Sequence, residues 1–89
     1  MIERELPVIN QLGLHARASA KLVQIASGFQ STLMLSARGR EINAKSIMGV
    51  LMLAAGVGTS VVLRAEGPDE AEAVDALAAL FARRFDEAQ

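Results

Sequence analysis

Apolar residues recur along this chain with two different periods, and the elements follow from where one period gives way to the other. Ile2, Leu6 and Val8 alternate with Glu3 and Glu5, which predicts a strand over roughly residues 2–8. Pro7 has no N–H for a ladder, so this strand belongs at a sheet edge. Ala18, Leu22, Ile25, Ala26 and Phe29 then recur at helical spacing, predicting a helix from about 16 to 27. Ser27-Gly28 stops it, with Gly28 expected as a left-handed cap. Thr32–Ser36 and Glu41–Asn43 read as a hairpin around Ala37-Arg38-Gly39-Arg40.

A short, nearly all-apolar segment from Ile47 to Leu53 predicts a second helix, with Ser46 as its N-cap. Gly56-Val57-Gly58 is a turn. From Thr59 to Glu66, Val61, Leu63 and Ala65 alternate with Ser60, Val62, Arg64 and Glu66, a half-buried strand. After Gly67-Pro68, Asp69-Glu70-Ala71-Glu72 has the form of a capping box, with Asp69 as cap and Glu72 reaching back. The last helix should run to about Arg84, turning Val74, Leu77, Phe81 and Phe85 inward.

The resulting order is β-α-β-β-α-β-α, a single α/β (α+β) domain over residues 1–89 with no internal repeat or linker. Such an order predicts a two-layer open-faced sandwich, with helices packed on one sheet face and water on the other.

Composition narrows the function. Nine Lys and Arg against ten Asp and Glu give net charge −1, without the basic surplus of a general nucleic-acid binder, and with no Trp or Tyr for base stacking. There is no cysteine and a single histidine, so thiol chemistry and the usual zinc sites are not expected, nor is a bound cofactor. The start of the chain is charged at once and lacks the apolar run of a signal peptide. The longest apolar stretch, Ile47 to Val57, is far too short to span a bilayer. The expectation is a cytoplasmic protein without membrane insertion.

The candidate chemistry lies in Gly13-Leu14-His15-Ala16-Arg17. Gly13 permits close backbone approach. His15 falls at a helix start, where N–H groups lack partners and the dipole is positive, and Arg17 adds a forked cationic donor. An imidazole nitrogen there can accept and hold a phosphoryl group. The plainer reading is a surface histidine near a cap. A second candidate is the apolar segment beginning at Ile47, which a two-layer domain cannot bury on every side. Ile47, Met48 and Leu51 should form a partner-docking patch near the start of the first helix, rimmed by Arg17, Lys21 and Lys45. The plainer reading there is that Met48 and its neighbours fill core gaps.

Both stretches, His15 with Arg17 and Asn43-Ala44-Lys45-Ser46-Ile47-Met48-Gly49-Val50, resemble in register the two signatures of the HPr family, the histidine-containing phosphocarriers of the bacterial phosphotransferase system. The resemblance covers essentially the whole chain. It implies a four-stranded antiparallel sheet of order 1-4-2-3 under three helices. It implies that His15 accepts a phosphoryl group on Nδ1 from enzyme I and passes it to enzyme II A-components, with Arg17 and the Ala16 and Arg17 amides stabilising it. Ser46 would be the target of an ATP-dependent HPr kinase/phosphorylase. Ala20, Lys21, Lys45, Ile47, Met48 and Leu51 would face partners, and the carrier itself would be a monomer and a substrate of kinases rather than an enzyme. Ala18 stands where many members have proline, a first-turn position that tolerates but does not require it. Ala here also occurs in branches with regulatory or nitrogen-related roles. Two other readings remain at this point: a regulatory interaction module using the Ile47/Met48/Leu51 surface without sugar transport, and a small-molecule binding module.

Overall fold

The computed structural model describes residues 1–87. Its elements are β1 (Ile2–Pro7), α1 (Ala16–Ala26), β2 (Thr32–Ala37), β3 (Arg40–Asn43), α2 (Ile47–Leu53), β4 (Ser60–Glu66) and α3 (Glu70–Ala82), followed by one tight turn, Arg84–Asp86. The four strands form one antiparallel sheet in the order β1-β4-β2-β3. This is the open-faced sandwich the pattern of residues implies, with Pro7 on an edge strand.

Period-two alternation decides which sheet face the helices cover. Leu6, Leu33, Leu35, Val61, Leu63 and Ala65 are buried together with Ala18, Leu22 and Ala26 of α1 and Val74, Leu77, Leu80 and Phe81 of α3. Between them on β4, Ser60, Arg64 and Glu66 are exposed on the uncovered face. There Arg64 Nε pairs with Glu3 of β1 at 2.9 Å and its Nη1 with Glu41 of β3 at 3.3 Å. Exposed pairs of this kind contribute little to stability. Each edge strand is charged along its length: Glu3, Arg4 and Glu5 on β1, Arg40 and Glu41 on the four-residue β3, all exposed.

Three local expectations are corrected. Gly28 is not left-handed: α1 tightens into i→i−3 bonds from Gly28 N–H to Ile25 O and Phe29 N–H to Ala26 O. The left-handed cap belongs instead to α2, at Ala54 (φ 52°, ψ 40°). There the last carbonyls are taken up by side chains, since Arg38 Nη2 donates to Leu53 O (3.0 Å) and Ala54 O (2.8 Å), and Arg40 Nη1 to Met52 O. Cationic groups suit that end of a helix dipole. The capping box also fails. Asp69 makes no side-chain cap. Its carboxylate accepts from Gln30 N–H (2.9 Å), Ser31 N–H (2.9 Å) and the Ser31 hydroxyl (2.5 Å), tying the start of α3 to the loop before β2. The acid that reaches back is Glu70, which accepts from Gly67 N–H at 3.1 Å. Gly67 explains the choice: its Cα packs so closely on Ser31 that an added Cβ would stand 2.6 Å from Ser31 Cα.

The last helix ends at Ala82, two residues short of the expected Arg84. Arg84, Phe85 and Asp86 then all take left-handed backbone angles (φ 57°, 55° and 63°). Three consecutive non-glycine residues in that region are uncommon and costly. The turn returns Phe85 to the core, where its ring lies 4.8 Å from that of Phe81. It also reverses the chain toward the start of α1.

Candidate functional site

The loop before α1 is fixed from below. Gly13 (φ 65°) lies directly on the backbone of Ala55 and Gly56, and Leu14 N–H donates to Ala55 O at 2.9 Å. Leu14 is buried, and the buried Ser19 hydroxyl, one turn into α1, donates to Leu14 O at 3.1 Å. His15 follows in extended conformation as the N-cap residue, its carbonyl accepting the first helical bond from Ser19 N–H at 2.8 Å. The N–H groups of Ala16 and Arg17 therefore have no intrahelical partner and point out of the helix start beside the imidazole. The His15 side chain makes no cap bond; it is 29% exposed.

One ring nitrogen is engaged. His15 Nε2 meets Glu87 Oε2, a carboxylate only 15% exposed that arrives through the left-handed turn. The buried Asn10 amide donates through Nδ2 both to Glu87 Oε1 (3.0 Å) and to Gly13 O (2.8 Å). The His15 contact, with help from Asn10 and the charge of Lys21, holds the Glu87 carboxyl below the usual carboxylate range against a contrary effect of burial. Arg17, two residues after His15, is exposed and makes no ion pair among the described residues, which leaves its guanidinium available. Ala20, one turn further on, is also exposed.

Asn10 and Glu87 have no counterpart among the candidate residues that the sequence offers.

The apolar patch extends further than expected. Ile47, Met48 and Met52 of α2 are exposed, Met48 to 63%, while Leu51 is half-buried and Val50 and Leu53 enter the core. Leu12 and Val57, on the two loops joined by the Leu14–Ala55 bond, are exposed as well. Because Ala55 adjoins Leu14, the C-terminal end of α2 lies at the start of α1. Ser46, at the other end, is about seven helical residues or roughly 10 Å away from it. Its hydroxyl accepts from Gly49 N–H at 3.1 Å, the expected cap. The three cations expected at the rim lie apart. Lys45 Nζ donates to Phe29 O, beyond the far end of α1, and Lys21 Nζ to Phe85 O at 2.8 Å with Asp86 at 3.6 Å. Of the three expected rim cations, Arg17 alone makes no ion pair or side-chain hydrogen bond among the described residues. Among the described residues no helix is long and apolar enough to cross a membrane, and no group of three or more His, Cys, Asp or Glu could hold a metal ion.

Residues 2–83 match the family model for the PTS HPr component phosphorylation site. The chain is 58% identical over 89 residues to phosphocarrier protein HPr of Cupriavidus necator, covering all of both proteins. It is 60% identical over 87 residues to that of Xylella fastidiosa, covering 98% of each. Among solved structures, HPr from Thermoanaerobacter tengcongensis superposes with a TM-score of 0.96 at 43% identity over the whole of both chains.

Proposed function

This chain belongs to the HPr family, the phosphocarriers of the phosphotransferase system, and from that membership we propose that His15 takes a phosphoryl group on Nδ1 from phospho-enzyme I and hands it to an enzyme II A-component. The observation that carries this reading is the position of one imidazole. It sits half-buried at a helix start whose first amides have no intrahelical partner, two residues before an arginine that makes no ion pair among the described residues, with Nε2 already occupied.

In the neutral ring the Nδ1 lone pair attacks phosphorus. The Nδ1–P bond forms as the bond to the donor breaks, and the donor atom keeps the bonding pair. The Ala16 and Arg17 amides and the Arg17 guanidinium offset the charge on the phosphoryl oxygens. They are few and lie at the surface, which suits a carrier: the group is held but not trapped. Its place of action in this reading is the cytoplasm, as a monomer meeting one partner at a time through Ile47, Met48, Leu51 and the exposed Ala20, with the half-buried Lys21 and Lys45 at the margin. Ser46 is the regulatory position, open to phosphorylation by an ATP-dependent kinase.

Incubation with enzyme I and labelled phosphoenolpyruvate tests the reading. Acid-labile, alkali-stable label is expected on the wild type and none on His15→Ala, with label on Arg17→Ala arriving more slowly. Normal labelling of His15→Ala removes the assignment.

A further inference from the structure

We propose that Asn10 and Glu87 are positioning residues that fix which nitrogen of the His15 imidazole carries the proton, so that Nδ1 always presents its lone pair. The inference rests on His15 being the phosphoryl acceptor and goes beyond it, because it assigns work to two residues outside the Gly13–Arg17 stretch.

A carboxylate only accepts hydrogen bonds. With Glu87 Oε2 against Nε2, the neutral ring must place its single proton on Nε2, which leaves Nδ1 unprotonated. The Glu87 carboxyl is kept ionised by that same contact and by Asn10. Without such a partner the two neutral tautomers share the population, and any ring protonated at Nδ1 cannot attack phosphorus.

Asn10 holds the carboxylate in place. Both atoms that its amide faces at bonding distance, Gly13 O and Glu87 Oε1, are acceptors, so the nitrogen and not the oxygen is turned toward them. The amide oxygen is left buried with no hydrogen-bond partner among the described residues. An unpaired buried acceptor is destabilising. Its retention indicates that the two donations outweigh it. One amide thus ties the His15 loop, through Gly13, to the carboxylate that orients the ring.

Glu87 reaches the ring only because Arg84, Phe85 and Asp86 are left-handed, with Phe85 locked into the core and Lys21 Nζ on the Phe85 carbonyl. Backbone strain of this kind tends to gather at functional sites. When the Nδ1–P bond forms, the ring becomes a cation that keeps its Nε2 proton. Glu87 then faces a positive charge, and no proton has to move in either direction of transfer.

The test combines a tautomer measurement with a rate. In protein carrying 15N-imidazole, long-range 1H–15N correlation in the neutral form of the ring should show the Nε2–H tautomer predominating in the wild type. Glu87→Ala should give a mixture, and Asn10→Ala a partial change in the same direction. Phosphoryl acceptance from enzyme I should slow by about tenfold in Glu87→Ala, as for other outer-shell partners of a histidine. The Glu87 carboxylate bonds the ring and Asn10, and Glu87 is not part of the apolar core, so this variant should fold. An unchanged tautomer in Glu87→Ala overturns the proposal, and so does a changed tautomer with an unchanged rate. If the wild type takes no label at all, the carrier reading fails, while the spectrum still shows whether the relay orients the ring.

Discussion

A Cβ on Gly13 would stand 2.7 Å from the carbonyl oxygen of Ala55 and 2.9 Å from Gly56 Cα, so the loop that presents His15 touches the loop that leaves α2 backbone to backbone. Neither side of that contact is a flexible side chain that could move away. Gly13 also has φ 65°. Gly13→Ala should therefore cost on the order of 2–3 kcal/mol in urea unfolding and slow labelling of His15. Unchanged stability would mean that the two loops slide freely.

Met48 is 63% exposed and carries none of the core. Met48→Asp should leave circular dichroism and the unfolding midpoint close to wild type, and weaken binding to enzyme I by roughly tenfold or more, as for a central apolar contact. Equal binding by calorimetry would assign the patch some other role.

Ser46→Ala removes the bond to Gly49 N–H and should cost about 1 kcal/mol. Ser46→Asp keeps a capping oxygen and adds a negative charge at the same place. Because Ser46 is a helix-length from the His15 loop, its effect must come through docking. The expected signature is a raised KM for enzyme I in His15 phosphorylation with kcat little changed. A lowered kcat at saturating enzyme I would place the effect in the chemical step.

Asp69 gives a pH dependence of known sign. The Ser31 hydroxyl, then the Gln30 amide, hold its carboxyl below the ordinary value in the folded chain. A group depressed on folding stabilises the fold above its unfolded pKa, and that contribution is lost as pH falls through the folded value. Asp69→Ala should thus be less stable than wild type at neutral pH, and the difference should narrow below about pH 4. Glu87 is lowered too, chiefly by His15, and adds to the wild type's acid sensitivity. Denaturant midpoints for both proteins across this range decide the matter; parallel curves would show that Asp69 acts through something other than its charge.

Element order, the edge position of β1 and the Ser46 cap were all legible in the residues, because each rests on a local signal: alternation, a proline, a hydroxyl before an apolar run. His15 at a helix start was legible in the same way. What the sequence concealed was set by contacts between distant segments. Asp69 reads as a cap until Gln30 and Ser31, the latter pressed against Gly67, offer it two amides and a hydroxyl. Ala54 takes the left-handed cap with no glycine to announce it, while Gly28, which looked suited, does not. The carboxylate beside His15 was hidden most completely. Glu87 is brought there by Arg84, Phe85 and Asp86 in a conformation to which, of the three residue types, only Asp has any leaning.

The two edges of the sheet bear on how such a chain can be used. An exposed strand edge is a template on which further strands can add, and repeated addition leads to cross-β aggregates. Here β1 has a proline where an N–H would be and charges at Glu3, Arg4 and Glu5, while β3 is four residues long and bears Arg40 and Glu41. Both edges therefore discourage backbone pairing with another copy. A carrier of the kind proposed above, passing from one partner to the next, can then be crowded with its own kind and remain free to move on.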